Sequence, residues 1–129
     1  MKYIVETKKT LSQVEEDFIQ SVSDHSFGVL HIQDLKETLN NKGVEFENEC
    51  KVFEVCNPHK AKQIMSIDMN MNIVLPCRVS IYVHDNKTFV SMVRPKSLLS
   101  HLSDSKELIE IVTEVEDILI KIIQQAIKI

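Results

Sequence analysis

Residues 104–127 read DSKELIEIVTEVEDILIKIIQQAI, and their spacing decides the architecture. Leu108, Ile111, Val112, Val115, Leu119, Ile122, Ile123 and Ala126 recur at intervals of three and four, the period of one helix face. Asp104 with Glu107 three residues on predicts the cap that starts this helix. Ile109, Ile118, Ile120 and Ile127 widen the apolar stripe beyond what one face of a sheet needs. Such width predicts either a deep cradle in a sheet or a second surface for self-association, because a monomer rarely leaves so large an apolar patch wet. A homo-oligomer is therefore expected. Glu110, Glu114, Glu116, Asp117 and Lys121 interrupt the run, so it falls short of the roughly 20 apolar residues of a membrane span.

The sheet that this helix needs is written upstream. Residues 2–8 alternate as a strand, and Ser12 with Glu15 predicts the capping box of a helix carrying Val14, Phe18 and Val22, ending near Asp24 to His25. A second strand runs from Val29 to Gln33 after Gly28. Asp34 then caps a short helix, Leu35 to Lys42, with Gly43 as its stop. Cys50 to Cys56 is a third strand. Asn57-Pro58 starts another helix, because Asn is a strong N-cap and Pro suits the first helical position. That helix gives way to a polar, Met-containing tract around Asp68 to Asn72. Strand four is expected over Ile73 to Val83 and strand five over Thr88 to Arg94, joined by the hairpin-type stretch His84-Asp85-Asn86-Lys87. Pro95 ends the sheet, and a linker runs to about Ser103. Strands in runs with helices between and after them predict α+β with a mainly antiparallel five-stranded sheet, in one domain over 1–129.

Composition narrows the function. A chain of 129 residues with 43% hydrophobic and 26% charged residues is globular in character. Its formal charge of -4 argues against a nucleic-acid partner, which needs a field of Lys and Arg. The N-terminus, MKYIVETKKT, has no apolar core of a signal peptide, and a cytoplasmic location is expected. Three cysteines, Cys50, Cys56 and Cys77, fit free thiols in a reducing compartment. Cys50 and Cys56 lie roughly 20 Å apart along one strand, too far for a disulfide. Two glycines are too few for phosphate-cradling loops, and no zinc-protease or paired C-x-x-C motif is present.

The segments FGVLHIQDLKETL (27–39), KVFEVCNP (51–58) and IVLPCRVSIY (73–82) resemble the family called domain of unknown function 302. Their order and spacing match across almost the whole chain. The resemblance implies a β-α-β4-α fold like that of the TATA-binding-protein repeat, with the two short helices as insertions. It implies no activity, since a fold alone carries none. The family pattern falls here on His31, Lys36, Cys56, Asn57, Pro58, Pro76 and Cys77, and Arg78 falls where relatives vary.

Cys56 precedes the Asn57 cap, and a helix N-terminus stabilises thiolate; the competing reading is a small buried core residue. Cys77 shares parity with Val79, Ile81 and Val83, which is the company of a core residue. Cys56-x-x-His59 has ligand-like spacing without a second pair, so neither metal nor cofactor is expected. His31 points away from Leu30 and Ile32, and with Glu54, Arg78 and Ser80 it lines one polar sheet face. Lys36, early in its helix, gains nothing from the helix dipole, a local conflict of the kind found at functional sites. The expected function is a non-catalytic, homodimeric module holding a small ligand between the sheet and the short helices, with His31, Lys36, Cys56, Asn57 and Cys77 as ligand contacts. The alternatives are a thiol-dependent redox or sulfur-carrier protein using Cys56, and an interaction protein assembling through its last helix.

Overall fold

The computed structural model describes residues 1–129. Five strands, β1 (Lys2–Thr7), β2 (Gly28–Asp34), β3 (Cys50–Cys56), β4 (Cys77–His84) and β5 (Lys87–Val93), form one sheet in the order β1-β5-β4-β3-β2. Every neighbouring pair is antiparallel. The helices are α1 (Leu11–Asp24), α2 (Leu35–Asn41), α3 (Pro58–Ile67), α4 (Pro95–Ser100) and α5 (Lys106–Ile127). Setting aside α2, α3 and α4 leaves β-α-β4-α, the expected topology.

Alternation assigns the faces. Phe53 and Val55 of β3, Val79 and Ile81 of β4, and Val90 and Met92 of β5 are buried on one face. They pack with Val14, Phe18 and Val22 of α1 and with Val115, Leu119, Ile122 and Ile123 of α5. Phe18 meets Phe53 edge-on, with ring centroids 5.2 Å apart. The β4–β5 hairpin closes in two residues, Asp85 and Asn86, both at positive φ (51° and 62°), the geometry whose twist matches the flanking strands.

Two caps sit away from their expected residues. Thr10, not Ser12, caps α1: its hydroxyl accepts from Gln13 N at 3.2 Å, and Gln13 Oε1 accepts from Thr10 N at 2.9 Å. Ser105, not Asp104, caps α5 by accepting from Leu108 N at 3.2 Å. Each site has several cap-competent residues in close succession, and spacing alone does not choose among them. Two segments also differ in type. Met69–Val74 is a 3-10 helix capped by Asp68, so β4 starts at Cys77 instead of Ile73. The expected linker after Pro95 contains α4, whose Pro95 stands in the first turn as helix starts favour.

Most of the α5 stripe packs within the chain, Ile109 being the one member outside both clusters. Its C-terminal half faces the sheet and α1, with Ile118, Ile120 and Ile127 packed at the margins of that cluster. Its N-terminal half joins a second cluster, in which Leu108 and Val112 meet Ile64 of α3, Met71 and Leu99 of α4, with Ile111 alongside. No large exposed hydrophobic residue lies within α5. Polar clasps hold the helix in place. The buried Ser21 hydroxyl donates to Ile122 O at 2.8 Å, and Lys9 Nζ donates to Ala126 O at 2.9 Å near the negative end of the helix. The buried Glu116 accepts from Lys96 N at 3.1 Å and pairs with Arg94 at 3.5 Å, which ties α4 to α5.

Leu119 is fully buried, at 0% exposure, at the junction of α5 with the sheet. Leu119→Ala is expected to lower the unfolding free energy by about 2–5 kcal/mol in urea denaturation. A loss below about 0.5 kcal/mol, the usual effect of a surface change, would contradict this packing.

A candidate ligand cavity at the end of the sheet

The cavity arises where the two apolar clusters diverge. β3 ends at Cys56, and Asn57 turns the chain directly into α3. Asn57 Oδ1 accepts from His59 N at 3.0 Å and Lys60 N at 3.2 Å, while Pro58 at the first helical position has no N–H to satisfy. The helix therefore leaves the sheet at once and packs on α5, where Lys60 Nζ bonds Glu114. The chain returns through the 3-10 helix and the cis Leu75–Pro76 bond to begin β4 at Cys77. After β5, Pro95 redirects it into α4. Three strand ends and three helices thus surround a space that none of them fills.

That space has a volume of about 480 Å³ and is lined by 22 residues, of which 16 are hydrophobic. Its wall includes Ala61 and Ile64 of α3, Leu99 of α4, and Val112, Val115 and Leu119 of α5. Ile73 (74% exposed), Val93 (50%) and Leu98 (38%) leave an apolar rim at its mouth. The polar lining is sparse: Glu54, Cys56, Asn57, Lys60, Cys77 and Arg78. A mostly apolar concavity of this size with a few convergent polar groups has the form of a small-molecule site.

The five residues singled out from sequence do not form one site. Cys56, Asn57 and Cys77 line this cavity. Lys36 lines a separate polar cleft of about 330 Å³ with Asp34, Glu37, Asn40 and Glu49. His31 lines neither; it stands exposed on β2 opposite Glu54, which in turn lies opposite Arg78 in the β3–β4 register. The polar sheet face predicted around His31 therefore exists, with Ser80 and Ser91 hydroxyls bonded across it at 2.9 Å, but it is open surface at His31. The cavity's α4 and α5 contributors, Leu98, Leu99, Val112, Val115 and Leu119, were read as linker or as plain core. Pro95 followed by Leu98 and Leu99 at helical spacing was the available signal for α4.

The thiols are free and each lies half-buried. Burial pushes the Cys56 thiol above its ordinary value, the direction opposite to that of an activated thiolate. Burial also pushes the Cys77 thiol up to about 11, with the nearby Cys56 adding to the shift. Cys50, outside the cavity, is raised by burial and then by Asp34. No three His, Cys, Asp or Glu side chains converge in a metal-binding arrangement.

An antiparallel five-stranded sheet with helices on one face and an apolar cavity at one end defines the molecule as an α+β protein of sheet-and-helix type. Residues 3–126 match the family described as domain of unknown function DUF302, and the chain belongs to that family. Its structure is similar to the crystal structure of an uncharacterized conserved protein DUF302 from Bacillus stearothermophilus. The two share 26% identity over 97% of each chain, with a TM-score of 0.92. No curated protein matches the chain. No helix is long and apolar enough to cross a membrane.

The raised Cys77 value has a stability consequence of definite sign. An unfolded thiol ionises near the ordinary 9.0, whereas the folded one holds its proton to about 11. Between these values the folded state binds more protons, so stability is full below pH 9 and falls as pH rises towards 11. The loss is expected to be on the order of 2 kcal/mol, and Cys77→Ala should flatten it. An unchanged slope in that variant would show that Cys77 does not hold its proton in the fold.

Proposed function

We propose that the protein is a small-molecule-binding module whose ligand occupies the cavity between the ends of β3, β4 and β5 and helices α3, α4 and α5. The cavity itself carries this reading. Filling its space with side chains would stabilise the fold through added contacts, yet the chain keeps it open with an apolar rim. Its polar side chains are too few for multistep acid–base chemistry and suffice to orient a bound molecule. The ligand class that fits has a predominantly apolar body.

Two other readings have weaker support. A thiol-exchange role for Cys56 needs a depressed pKa, and burial moves both cavity thiols the other way. Assembly through the last helix needs an exposed stripe, and all of the stripe except Ile109 packs in two intramolecular clusters.

Ligand binding stabilises a fold by mass action, about 2.7 kcal/mol at a hundredfold excess over Kd. Thermal-shift screening with apolar metabolites should therefore raise Tm for the wild type. Ala61→Phe, which grows a side chain from the α3 wall into the cavity, should fold and abolish that response. A response that persists undiminished in Ala61→Phe would place the ligand elsewhere, and the absence of any response would remove the proposal.

A further inference from the structure

The charges of the cavity lining are balanced, and that balance sets the polarity of what fits inside. Lys60, Glu54 and Arg78 are the charged side chains of the lining. Lys60 bonds Glu114, and Arg78 stands directly opposite Glu54 in the β3–β4 register, so each has an opposite charge beside it. The two thiols are uncharged at neutral pH, because burial raises both and holds the Cys77 proton to about 11. The rim formed by Ile73, Val93 and Leu98 is apolar. An ion of either sign would therefore leave water without meeting a spare counter-charge, a transfer that costs far more than that of a neutral group. Among the uncharged groups, one amide donor is left over. Asn57 Oδ1 receives two backbone N–H groups, which fixes the orientation of the amide and leaves Nδ2 without a partner in the protein. No buried side-chain nitrogen or oxygen is unsatisfied, so Nδ2 is a group that solvent or a ligand reaches.

We propose that the cavity selects uncharged molecules, with an apolar body against Ala61, Val112, Val115 and Leu119 and a neutral acceptor, such as a carbonyl oxygen, taking an N–H of the Asn57 amide. This rests on the cavity being a ligand site at all, and adds to it the polarity of the ligand. A carbonyl oxygen matches because it only accepts, while the uncharged polar groups left free, the amide NH2 and the two S–H groups, donate. Carboxylates and amines are disfavoured alike, since the balanced lining offers neither of them a free partner of opposite charge.

The test titrates three eight-carbon probes, 2-octanone, octanoate and octylammonium, calorimetrically into the whole chain near neutral pH, with Ala61→Phe reporting which of them enter the cavity. 2-Octanone is expected to bind most tightly, and both ions at least about tenfold more weakly. Asn57→Asp keeps a strong helix cap while replacing the amide donors with an anion. It should weaken 2-octanone about fivefold and strengthen octylammonium, an exchange of preference that mere loosening of the fold would not produce. Asn57→Ser, another good cap without an amide, should give the same loss for 2-octanone should Asn57→Asp be unstable. If either ion enters the cavity as tightly as 2-octanone, the selection against charge is overturned and the cavity reading stands. Unchanged 2-octanone affinity in the Asn57 variants overturns the amide contact. Failure of all three probes to bind overturns the cavity reading as well.

Discussion

The packing of α5 across two clusters is the constraint on which the rest of the structure depends. One helix face covers the inner side of the sheet together with α1, and the preceding turns cover α3 and α4. Because a single helix serves both clusters, it bridges the gap where the sheet has ended and the small helices have not yet closed over it. The cavity is that gap. Val112, Val115 and Leu119 lie along the bridge, and each belongs to a cluster while also lining the cavity.

Polar interactions fix the bridge in position more than they add to its strength. Glu116 reaches the backbone of α4 and the Arg94 guanidinium, which itself lies 5.3 Å from the Tyr3 ring. This links the last helix, α4 and the β1 edge of the sheet. At the other end, Lys9 holds both Asp17 and the Ala126 carbonyl, and Gln125 donates to Asp24. Asp24 is held below its usual carboxylate range by its bonds to Gln20 and Gln125. With both ends of α5 anchored, the wall of the cavity is preorganised, and a ligand need not order it.

Local signals were legible in the sequence, and convergence was not. The strands β1, β3 and β5, the short hairpin and the caps at Asp34 and Asn57 each depend on a few adjacent residues, and the chain spells them out. The apolar run Ile73–Val74 looked like strand because its residues suit one, yet Asp68 captures the backbone of Asn70 and turns the segment into a 3-10 helix first. His31 and Lys36 were placed on the correct elements. Grouping them with Cys56 required knowing that β2 is an edge strand and that α2 leans towards the start of α1, facts set by sheet order. Ala61 and Leu119 could not be distinguished from ordinary core residues, since a cavity wall and a filled core have the same side chains. Asn57 was visible as a cap, and its place in the lining of an apolar space emerges only with the fold.

The α5 bridge lines one wall of the cavity proposed as the binding site. Intermolecular NOEs between methyl-labelled protein and an apolar ligand that raises its Tm examine that placement most directly. Cross-peaks are expected from the apolar body of the ligand to the methyls of Ala61, Val112, Val115 and Leu119. Cross-peaks confined to exposed residues such as Ile4 and Leu30, which lie outside the cavity, would contradict it.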